Sequence, residues 1–317
     1  MATLDTTRPL YELGFKGVYC RLLARVAGRA LANLKDKVVV RKAFRVAQTV
    51  RPTSIWLDRT LVFSPEHLQR LRRLFPDIKI LYFTPDDMLN PDNGTDRFMQ
   101  CLPNFDFTVT TKSFHLDELK RFGALKVHFV DNAYDSRDHR PPSEEEARSV
   151  KTYDVVFVGG YERERAASLM RIARTGLSVK IVSWDFPRTL RIPPNVFVDR
   201  RFLAGTAYAQ CIWSGRINLG FLRKVNRDLQ TTRSVEIPAC GGFMLAERTE
   251  EHKRLFAEDI EAVYFDSECE LLCAIERYIK DTVRRENIAK AGRARVLKGR
   301  YDYKNRIVET LACLGLR

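Results

Sequence analysis

The chain has 317 residues, a length at which a single hydrophobic core usually gives way to two domains. Hydrophobic residues make up 45% of it, which is ordinary for a globular protein, but 54 Lys and Arg against 40 Asp and Glu leave a net charge of +14. This excess favours an anionic partner such as a phosphorylated small molecule, an acidic lipid surface or nucleic acid. Surface charge that only keeps the protein in solution would produce the same excess.

Other classes of protein are disfavoured by the rest of the composition. The seven cysteines form no CxxC pair, and the five histidines form no HExxH motif, so neither a disulfide framework nor a zinc site is expected. No stretch approaches the roughly 18 consecutive apolar residues of a membrane-spanning helix. We therefore expect a cytoplasmic protein without metal or cofactor, at most peripheral to the inner face of a membrane.

The first fifty residues are patterned as helix. Apolar residues recur at three- and four-residue steps from Phe15 to Leu34, beside a row formed by Arg21, Arg25 and Arg29. A helix with such a basic edge can lie on an anionic membrane. The same stripe is typical of a helix packed on a neighbouring sheet, which is the more common arrangement.

From residue 53 onward, short β-branched or aromatic runs alternate with helical patterns, the order typical of parallel doubly wound sheets. The predicted strands are Ser54–Asp58, Lys79–Thr84, Phe105–Thr110, Val127–Asp131, Tyr153–Gly159, Ser178–Trp184, Ile217–Phe221, Gly242–Ala246 and Ala262–Phe265. The predicted helices include Pro65–Leu74, Leu116–Phe122, Arg163–Arg174, Glu250–Phe256, Ser267–Lys280 and Val283–Lys298. A polar, proline-bearing stretch at Asp135–Ala147 predicts a linker, which gives domains 1–147 and 148–317.

A glycine pair follows the first strand of the second domain. Gly159 and Gly160 would let a ligand approach the backbone, and the next helix would offer free N–H groups at its start. Arg163 and Arg165 add positive charge for a diphosphate. A tight strand-to-helix turn with surface arginines explains the same residues. The segment lacks the full GxGxxG fingerprint and is weak evidence for a dinucleotide.

The next predicted strand ends in Trp184 and Asp185. Ligands of doubly wound sheets lie beyond the carboxyl ends of the strands, so this pair could flank a nucleoside base or ribose. A tryptophan at such a position is equally typical of packing.

Two carboxylates stand eight positions apart around an arginine. If residues 231–240 are helical, Asp228 lies at the helix start and Glu236 about two turns further on, both facing one cleft with Arg233. Carboxylates accept hydrogen bonds from hydroxyls, and arginine pairs with phosphate. Gly241 and Gly242 would allow the backbone to meet the ligand. Alternatively, Glu236 only pairs with Arg233 and Asp228 caps the helix.

Two more acids, Asp86 and Asp87, follow a strand of the first domain. They could bind acceptor hydroxyls or act as a general base. They do not form a DxD pair, so they imply no divalent ion. A proline-started turn capped by its aspartates is the alternative interpretation.

Several segments, taken in their order along the chain, resemble the C-terminal domain of CgeB-like (spore maturation type) glycosyltransferases. These belong to the GT-B class and are related to group 1 glycosyltransferases. The likeness extends from about residue 153 to residue 311. The segments that carry it are Phe157–Gly160, Arg233–Gly242, Glu261–Asp266, Asn287–Gly292 and Tyr303–Arg306.

This resemblance implies two facing Rossmann-like domains, the second binding a nucleotide-sugar and the first an acceptor, with the last helix packing back on the first domain. Asp228 and Glu236 occupy the places of the paired glutamates of such enzymes, which puts Asp228 near the donor sugar and Glu236 on the ribose. Arg163, Arg165 and Arg233 become candidates for the diphosphate. The first domain departs from the pattern, because residues 1–50 are helical where a first strand is expected.

The sequence therefore predicts a GT-B glycosyltransferase that moves a sugar from a nucleotide diphosphate donor to an unidentified acceptor hydroxyl. Related group 1 enzymes retain anomeric configuration without metal. For inversion, Asp86, Asp87 or His115 are the available bases. A non-catalytic homologue that acts as a binding or partner subunit is the alternative. A nucleic-acid binder is disfavoured because aromatic residues do not interleave with the arginines.

Overall fold

The structure is a computed structural model that describes residues 28–149 and 152–316, with side chains from residue 36. The chain folds as two compact units, Met1–Val130 and Asp131–Arg317. The stripe from Phe15 lies outside the described residues up to residue 27, and its remainder is helical. The expectation of helix in the first fifty residues is thus confirmed from Gly28 onward.

The first unit is a parallel sheet of four strands, which neighbour one another in chain order, β1-β2-β3-β4. Its strand order does not reverse within the described residues. Its elements are α1 (Gly28–Val50), β1 (Ser54–Asp58), α2 (Pro65–Leu74), β2 (Lys79–Thr84), α3 (Asp96–Cys101), β3 (Phe107–Thr110), α4 (His115–Arg121) and β4 (Val127–Phe129).

Helix α2 begins at a common N-terminal capping sequence. Ser64 precedes the helix in an extended conformation, Pro65 occupies its first turn, and the ring nitrogen Nδ1 of His67 accepts a hydrogen bond from the Ser64 N–H at 3.1 Å. Leu68 and Leu71 lie on the buried face, in one core with the sheet. Full burial of each such side chain stabilises the fold by roughly 1.5–3 kcal/mol.

The second unit is a parallel sheet of six strands in the order β10-β9-β8-β5-β6-β7. Its elements are α5 (Glu144–Ser149), β5 (Tyr153–Val158), α6 (Arg163–Arg174), β6 (Val179–Val182), β7 (Val196–Asp199), α7 (Gly205–Trp213), β8 (Gly215–Gly220), α8 (Thr232–Ala239), β9 (Met244–Glu247), α9 (Glu250–Leu255), β10 (Val263–Phe265), α10 (Glu268–Lys280), α11 (Thr282–Lys298) and α12 (Tyr303–Cys313). Numbered within the unit, this is the doubly wound order 3-2-1-4-5-6. The order reverses between β5 and β8, which are direct neighbours.

The strands of this sheet are buried on both faces. Val155 and Phe157 of β5 pack into one core with α6 and α10, whereas Val156 between them belongs to a cluster on the opposite face. Such two-sided burial explains the continuous apolar run in the sequence. The fold class is therefore confirmed as α/β with two parallel, Rossmann-like sheets.

Several features differ from the sequence expectations. Strand β7 and helices α3, α5, α7 and α12 were not among the predicted elements. Residues 131–147, assigned above to the first domain and its linker, pack within the second unit. The indole N–H of Trp213 donates to the Arg140 carbonyl at 2.7 Å, and the Tyr134 N–H donates to the Tyr301 carbonyl at 3.2 Å.

No helix among the described residues is long and apolar enough to cross a membrane.

Candidate functional site

The candidate site lies at the carboxyl edge of the six-stranded sheet, where the strand order reverses. There, β5 leads through Gly159 and Gly160 into α6, and β8 leads into Phe221 and Leu222. Because the loops of these neighbouring strands leave in opposite directions, a crevice forms at this point of doubly wound folds.

The glycine pair shapes the loop after β5. A Cβ on Gly159 would stand 2.8 Å from the Phe157 ring, so only glycine fits there. A Cβ on Gly160 would stand at ordinary contact distances, 3.6 Å from Asp185 Oδ2 and 3.7 Å from the Trp184 ring. One carboxylate oxygen of Asp185 accepts hydrogen bonds from the Tyr161 N–H and the Ser183 hydroxyl, both at 2.8 Å. Asp185 therefore ties the loops after β5 and β6 together.

Helix α6 begins without a side-chain cap. Its N-cap residue, Glu162, makes no capping hydrogen bond with its side chain. The first N–H groups of a helix lack acceptors within the helix, and the helix dipole places partial positive charge there. Arg163 is exposed at this end of the helix, whereas Arg165 is only 6% exposed.

Arg165 is a buried cation with spare donors. Its Nη1 donates to the Gly160 carbonyl at 3.3 Å, and its Nη2 lies 3.3 Å from the Glu162 carboxylate without hydrogen-bond geometry. Neither Nε nor Nη2 has a hydrogen-bond partner. Burial lowers the pKa of Arg165, the Glu162 carboxylate opposes this shift, and the nearby Arg233 adds to it. Since an arginine stays charged at neutral pH, the buried N–H groups favour an anionic acceptor.

Arg233 belongs to α8, whose first turn is fixed by a neutral hydrogen-bond network. The Thr231 N–H donates to the Ser234 hydroxyl at 3.0 Å, and that hydroxyl lies 2.7 Å from Nε2 of His252. His252 Nδ1 lies 2.7 Å from the Glu247 carbonyl, which can only accept, so Nδ1 carries the proton and Nε2 accepts from Ser234. Burial lowers the pKa of His252 to about 4. The start of α8 is thereby fastened to the carboxyl end of β9.

The guanidinium of Arg233 also keeps a buried donor, because its Nε has no hydrogen-bond partner. Arg165 and Arg233 belong to different helices, and each has a buried N–H group without a hydrogen-bond partner. Their guanidinium groups are near enough that the charge of Arg233 lowers the pKa of Arg165. Leaving buried charged donors unsatisfied is costly unless a ligand accepts from them.

Glu236 lies one turn into α8 from Arg233. Burial raises the pKa of its carboxyl group, and the nearby His139, Arg233, Thr232 and Tyr208 oppose that rise. The residue as a whole is half-buried, while its carboxyl group is deep. When ionised, such a carboxyl group is a strong hydrogen-bond acceptor.

Asp228 lies before α8 and does not cap it, since the N-cap is Thr231. Its Oδ1 accepts from the Asn226 amide at 2.7 Å, and its Oδ2 lies 3.4 Å from the Arg223 N–H. Arg227 between them has a left-handed backbone, φ 48°. Asp228 thus organises the loop after β8, and its contact with a donor sugar stays a prediction.

Trp184 is half-exposed at the carboxyl end of β6. Its ring meets the more exposed Phe202, beyond β7, edge to face at 5.7 Å. Exposed aromatic pairs offer a π-face on which a planar base can stack. Trp184 is predictable from its place after a strand, whereas its partner Phe202 lies in a segment with no such signal.

Gly241 and Gly242 lie at the other edge of the sheet, because they precede the amino end of β9. The left-handed backbone of Gly241, φ 77°, ends α8, and its N–H donates to the Pro238 carbonyl. A Cβ on Gly242 would stand 2.7 Å from Ile212. Helix termination and close packing account for both glycines without a ligand, so the ligand-approach interpretation receives no support from their placement.

The acids of the first unit are already partnered. Asp86 lies 2.7 Å from Nε of Arg59. Asp87 is 2% exposed and contacts Nε2 of His115, itself fully buried, at 3.1 Å, while Nδ1 of His115 lies 2.9 Å from the Thr110 hydroxyl. These groups stabilise the loops after β1, β2 and β3, and a catalytic role for them stays a prediction.

Sequence reasoning missed His139 and Tyr208. Their rings lie 5.3 Å apart, and both influence Glu236. They come from a polar segment and from the unpredicted helix α7, so no local pattern connected them with Glu236. It also missed Glu247, whose carboxylate accepts the Leu222 N–H at 3.0 Å; a carboxylate at the end of a buried strand was the available signal.

Comparison with known proteins adds to this geometry. Residues 162–312 match the model of a family described as "Glycosyl transferase-like". No curated protein sequence matches the chain. Most of the second unit, and all of the candidate site from Glu162 onward, therefore lies in a glycosyl transferase-like region.

Solved structures resemble nearly the whole chain. A glycosyltransferase from Rickettsia africae ESF-5 matches 97% of this chain and 92% of its own length, with a TM-score of 0.63 and 11% identity. Anabaena HepE in complex with UDP-glucose matches 94% and 90%, with a TM-score of 0.62 and 14% identity. Sucrose-phosphate synthase from Thermosynechococcus elongatus matches 90% and 79%, with a TM-score of 0.64 and 12% identity. These likenesses define the fold as GT-B.

Proposed function

We propose that the protein is a glycosyltransferase that moves a sugar from a nucleotide diphosphate donor, with UDP as its nucleotide, to an acceptor hydroxyl. One observation carries the proposal: Arg165 and Arg233 keep buried N–H donors without acceptors beside an uncapped helix start. A diphosphate supplies the acceptors and the negative charge that these groups lack. The glycosyl transferase-like match and the GT-B fold support the reaction class.

The donor would lie along the carboxyl edge of the second unit. Its diphosphate would accept from Arg165, Arg233 and the first N–H groups of α6, with Arg163 adding charge. Glu236 would accept from the ribose hydroxyls, and Trp184 would flank the base. The choice of UDP rests on the HepE complexes with UDP and UDP-glucose, which share this fold.

In this reaction the bond between the anomeric carbon and the β-phosphate oxygen breaks, and a bond from that carbon to the acceptor oxygen forms. The electron pair of the broken bond leaves with the diphosphate, where fixed guanidinium groups and helix N–H groups stabilise the new charge. The acceptor proton passes to the departing phosphate, so that no protein base is needed. We propose accordingly that the enzyme retains anomeric configuration and works without metal.

The test combines binding with turnover. UDP-, GDP-, dTDP- and ADP-sugars are compared by their effect on the melting temperature, and release of the nucleoside diphosphate is then measured for each. We expect a UDP-sugar to give the largest shift and measurable release, with EDTA leaving the rate unchanged. If Glu236→Ala keeps the full shift, the ribose contact is wrong.

A non-catalytic homologue is the second candidate, and the engagement of Asp228 favours it. Both carboxylate oxygens of Asp228 face donors of its own loop, at the position where related enzymes carry a glutamate. Tight binding of a UDP-sugar without transfer to any tested acceptor or to water would support this candidate.

The remaining parts of the proposal are the CgeB-like subtype, cytoplasmic location, and an acceptor that is a saccharide, a lipid-linked glycan or a protein. Nucleic acid is not a proposed partner. Peripheral contact with an anionic membrane remains a proposal from the basic helical stripe at Phe15–Leu34.

A further inference from the structure

A basic groove lies on the first unit, between α1 and α2. Lys37, Arg41 and Arg45 stand at four-residue steps along α1, and Arg70 faces them from α2. The groove encloses about 420 Å³, which lies within the range of small-ligand sites. It belongs to the first unit and shares no residue with the candidate donor site of the second.

No carboxylate among the described residues compensates the charges of this groove. Within the part of the chain that the structure describes, Lys37, Arg41, Arg45 and Arg70 form no ion pair with a carboxylate. The one acidic residue of α1, Asp36, pairs instead with Arg97 at 2.6 Å. Four cations without such a partner therefore stand together in one groove.

The floor and wall of the groove favour an anion further. The guanidinium of Arg70 lies over the buried Phe44 ring at 4.7 Å, which fixes its position and leaves its N–H edges available. An apolar floor also strengthens charge interactions by excluding water. His67 lines the groove, and because its Nδ1 accepts from Ser64, its neutral form carries the proton on Nε2.

We propose that this groove binds a phosphate-bearing anionic ligand, either a free phosphorylated molecule or a phospholipid headgroup. Three cations at steps of four residues and a fourth from the facing helix supply convergent donors for phosphate oxygens. The inference does not rest on the proposed transferase activity, because all of its residues belong to α1 and α2.

The test uses the full-length protein with ¹⁵N-labelled histidine, with the His67 signal assigned by a His67→Asn variant. Inorganic pyrophosphate is titrated in one arm. In the other, the protein is sedimented with vesicles of phosphatidylcholine, with and without phosphatidylglycerol. The His67 signal reports the groove itself, so phosphate bound in the second unit is not mistaken for it.

We expect pyrophosphate to shift the His67 signal, or vesicles to bind the protein only when they contain phosphatidylglycerol. The first result identifies a free phosphorylated ligand and the second a headgroup. The double variant Arg41→Gln, Arg45→Gln should bind the ligand that gives a positive result, pyrophosphate or the phosphatidylglycerol vesicles, at least about tenfold more weakly. The control Lys120→Gln, Arg121→Gln removes the same charge from exposed positions of α4 and should change it less than about twofold.

Two results would overturn the inference. In one, pyrophosphate leaves His67 unmoved and sedimentation is the same with both kinds of vesicle. In the other, the groove variant and the control weaken binding equally, which would show that overall charge alone is responsible. UDP affinity serves as an independent measurement, and it should be unchanged in both double variants.

Discussion

The carboxyl edges of the two sheets carry similar charged residues but use them differently. In the first unit, Asp86 lies 2.7 Å from Arg59, although its Oδ2 has no hydrogen-bond partner, and Asp87 contacts His115. In the second unit, Arg165 and Arg233 keep buried donors without hydrogen-bond partners, and Glu162 Oε1 is a buried acceptor without one. The unpartnered groups are thus mainly cationic at the second edge, where we propose that an anion binds.

This difference separates charges that stabilise a fold from charges that bind. A buried ion pair contributes to stability mainly because removal of one partner strands the other. A buried donor without a partner instead lowers stability and gains its acceptor when a ligand arrives. We therefore expect substitutions at the first edge to change unfolding and substitutions at the second to change affinity.

The largest expected effect is on stability in the first unit. Asp87→Asn should lower the free energy of unfolding of that unit by about 3 kcal/mol, because a neutral amide replaces a buried carboxylate whose Oδ1 contacts His115 Nε2 and accepts the Leu89 N–H. Urea unfolding of the full chain measures the loss. UDP affinity of the folded variant should stay within about twofold of wild type. A large loss of UDP affinity with an unchanged free energy of unfolding would contradict this prediction, because it would assign Asp87 to binding and not to stability.

Arg165→Met should have a comparable effect on binding. We expect UDP affinity to fall about 100-fold, equivalent to about 2.7 kcal/mol, with no loss of thermal stability. The reason is that the substitution removes the Nε and Nη2 donors, which have no hydrogen-bond partner within the protein. Arg59→Met is the matched change at the first edge and should leave UDP affinity unchanged. Equal effects of the two variants in calorimetric titration would show that Arg165 is not a specific contact.

Glu236 should make binding depend on pH. Burial raises the pKa of its carboxyl group above the ordinary value of 4.5. As the pH falls, the group is therefore protonated earlier than an exposed glutamate. Protonation removes the negative charge of the carboxylate that would accept hydrogen bonds from the ribose hydroxyls. Affinity for UDP-glucose, whose diphosphate keeps its charge in this range, should therefore decrease from pH 8 to pH 5.

Glu236→Gln should bind UDP-glucose roughly tenfold more weakly at pH 8, since a neutral acceptor replaces a charged one. It should also show a flat pH profile. A variant that kept the wild-type pH dependence would assign that dependence to another group.

The smallest expected effect concerns the exposed aromatic pair. Trp184→Ala should weaken UDP binding about fivefold, or about 1 kcal/mol, through loss of one stacking face. Phe122→Ala in the first unit is the control, because Phe122 is 54% exposed and Trp184 53%. If Trp184→Ala weakens UDP binding no more than Phe122→Ala does, the base does not stack on Trp184 and lies elsewhere along the edge.

Much of the fold was predictable because its signals are local. Strands β1 and β2 and helices α2 and α6 have the predicted bounds, since each shows a clear hydrophobic pattern along its length. Strand β7 was missed because it is a four-residue edge strand with Phe197 largely exposed. Helix α7 was missed because its N-cap, Ala204, gives no capping signal and its sequence carries no charged face.

The candidate site was predictable only in part. Both Arg163 and Arg165 were identified, but the helical phase that buries Arg165 and exposes Arg163 depends on packing against the sheet. Gly241 and Gly242 were assigned to the ligand because glycine permits close approach, and this stays a prediction. The left-handed end of α8 accounts for Gly241, and close packing against Ile212 accounts for Gly242. The environment of Glu236 was not predictable, since His139 and Tyr208 reach it from distant parts of the chain.

The central claim is that the second unit recognises a diphosphate through buried, unpartnered arginine donors. Calorimetric titration of the wild-type protein with UDP and with uridine, at one ionic strength, tests it most directly. Uridine presents the same base and ribose without phosphate, so UDP should bind at least about 100-fold more tightly. Equal affinities, or binding of neither molecule, would contradict the claim.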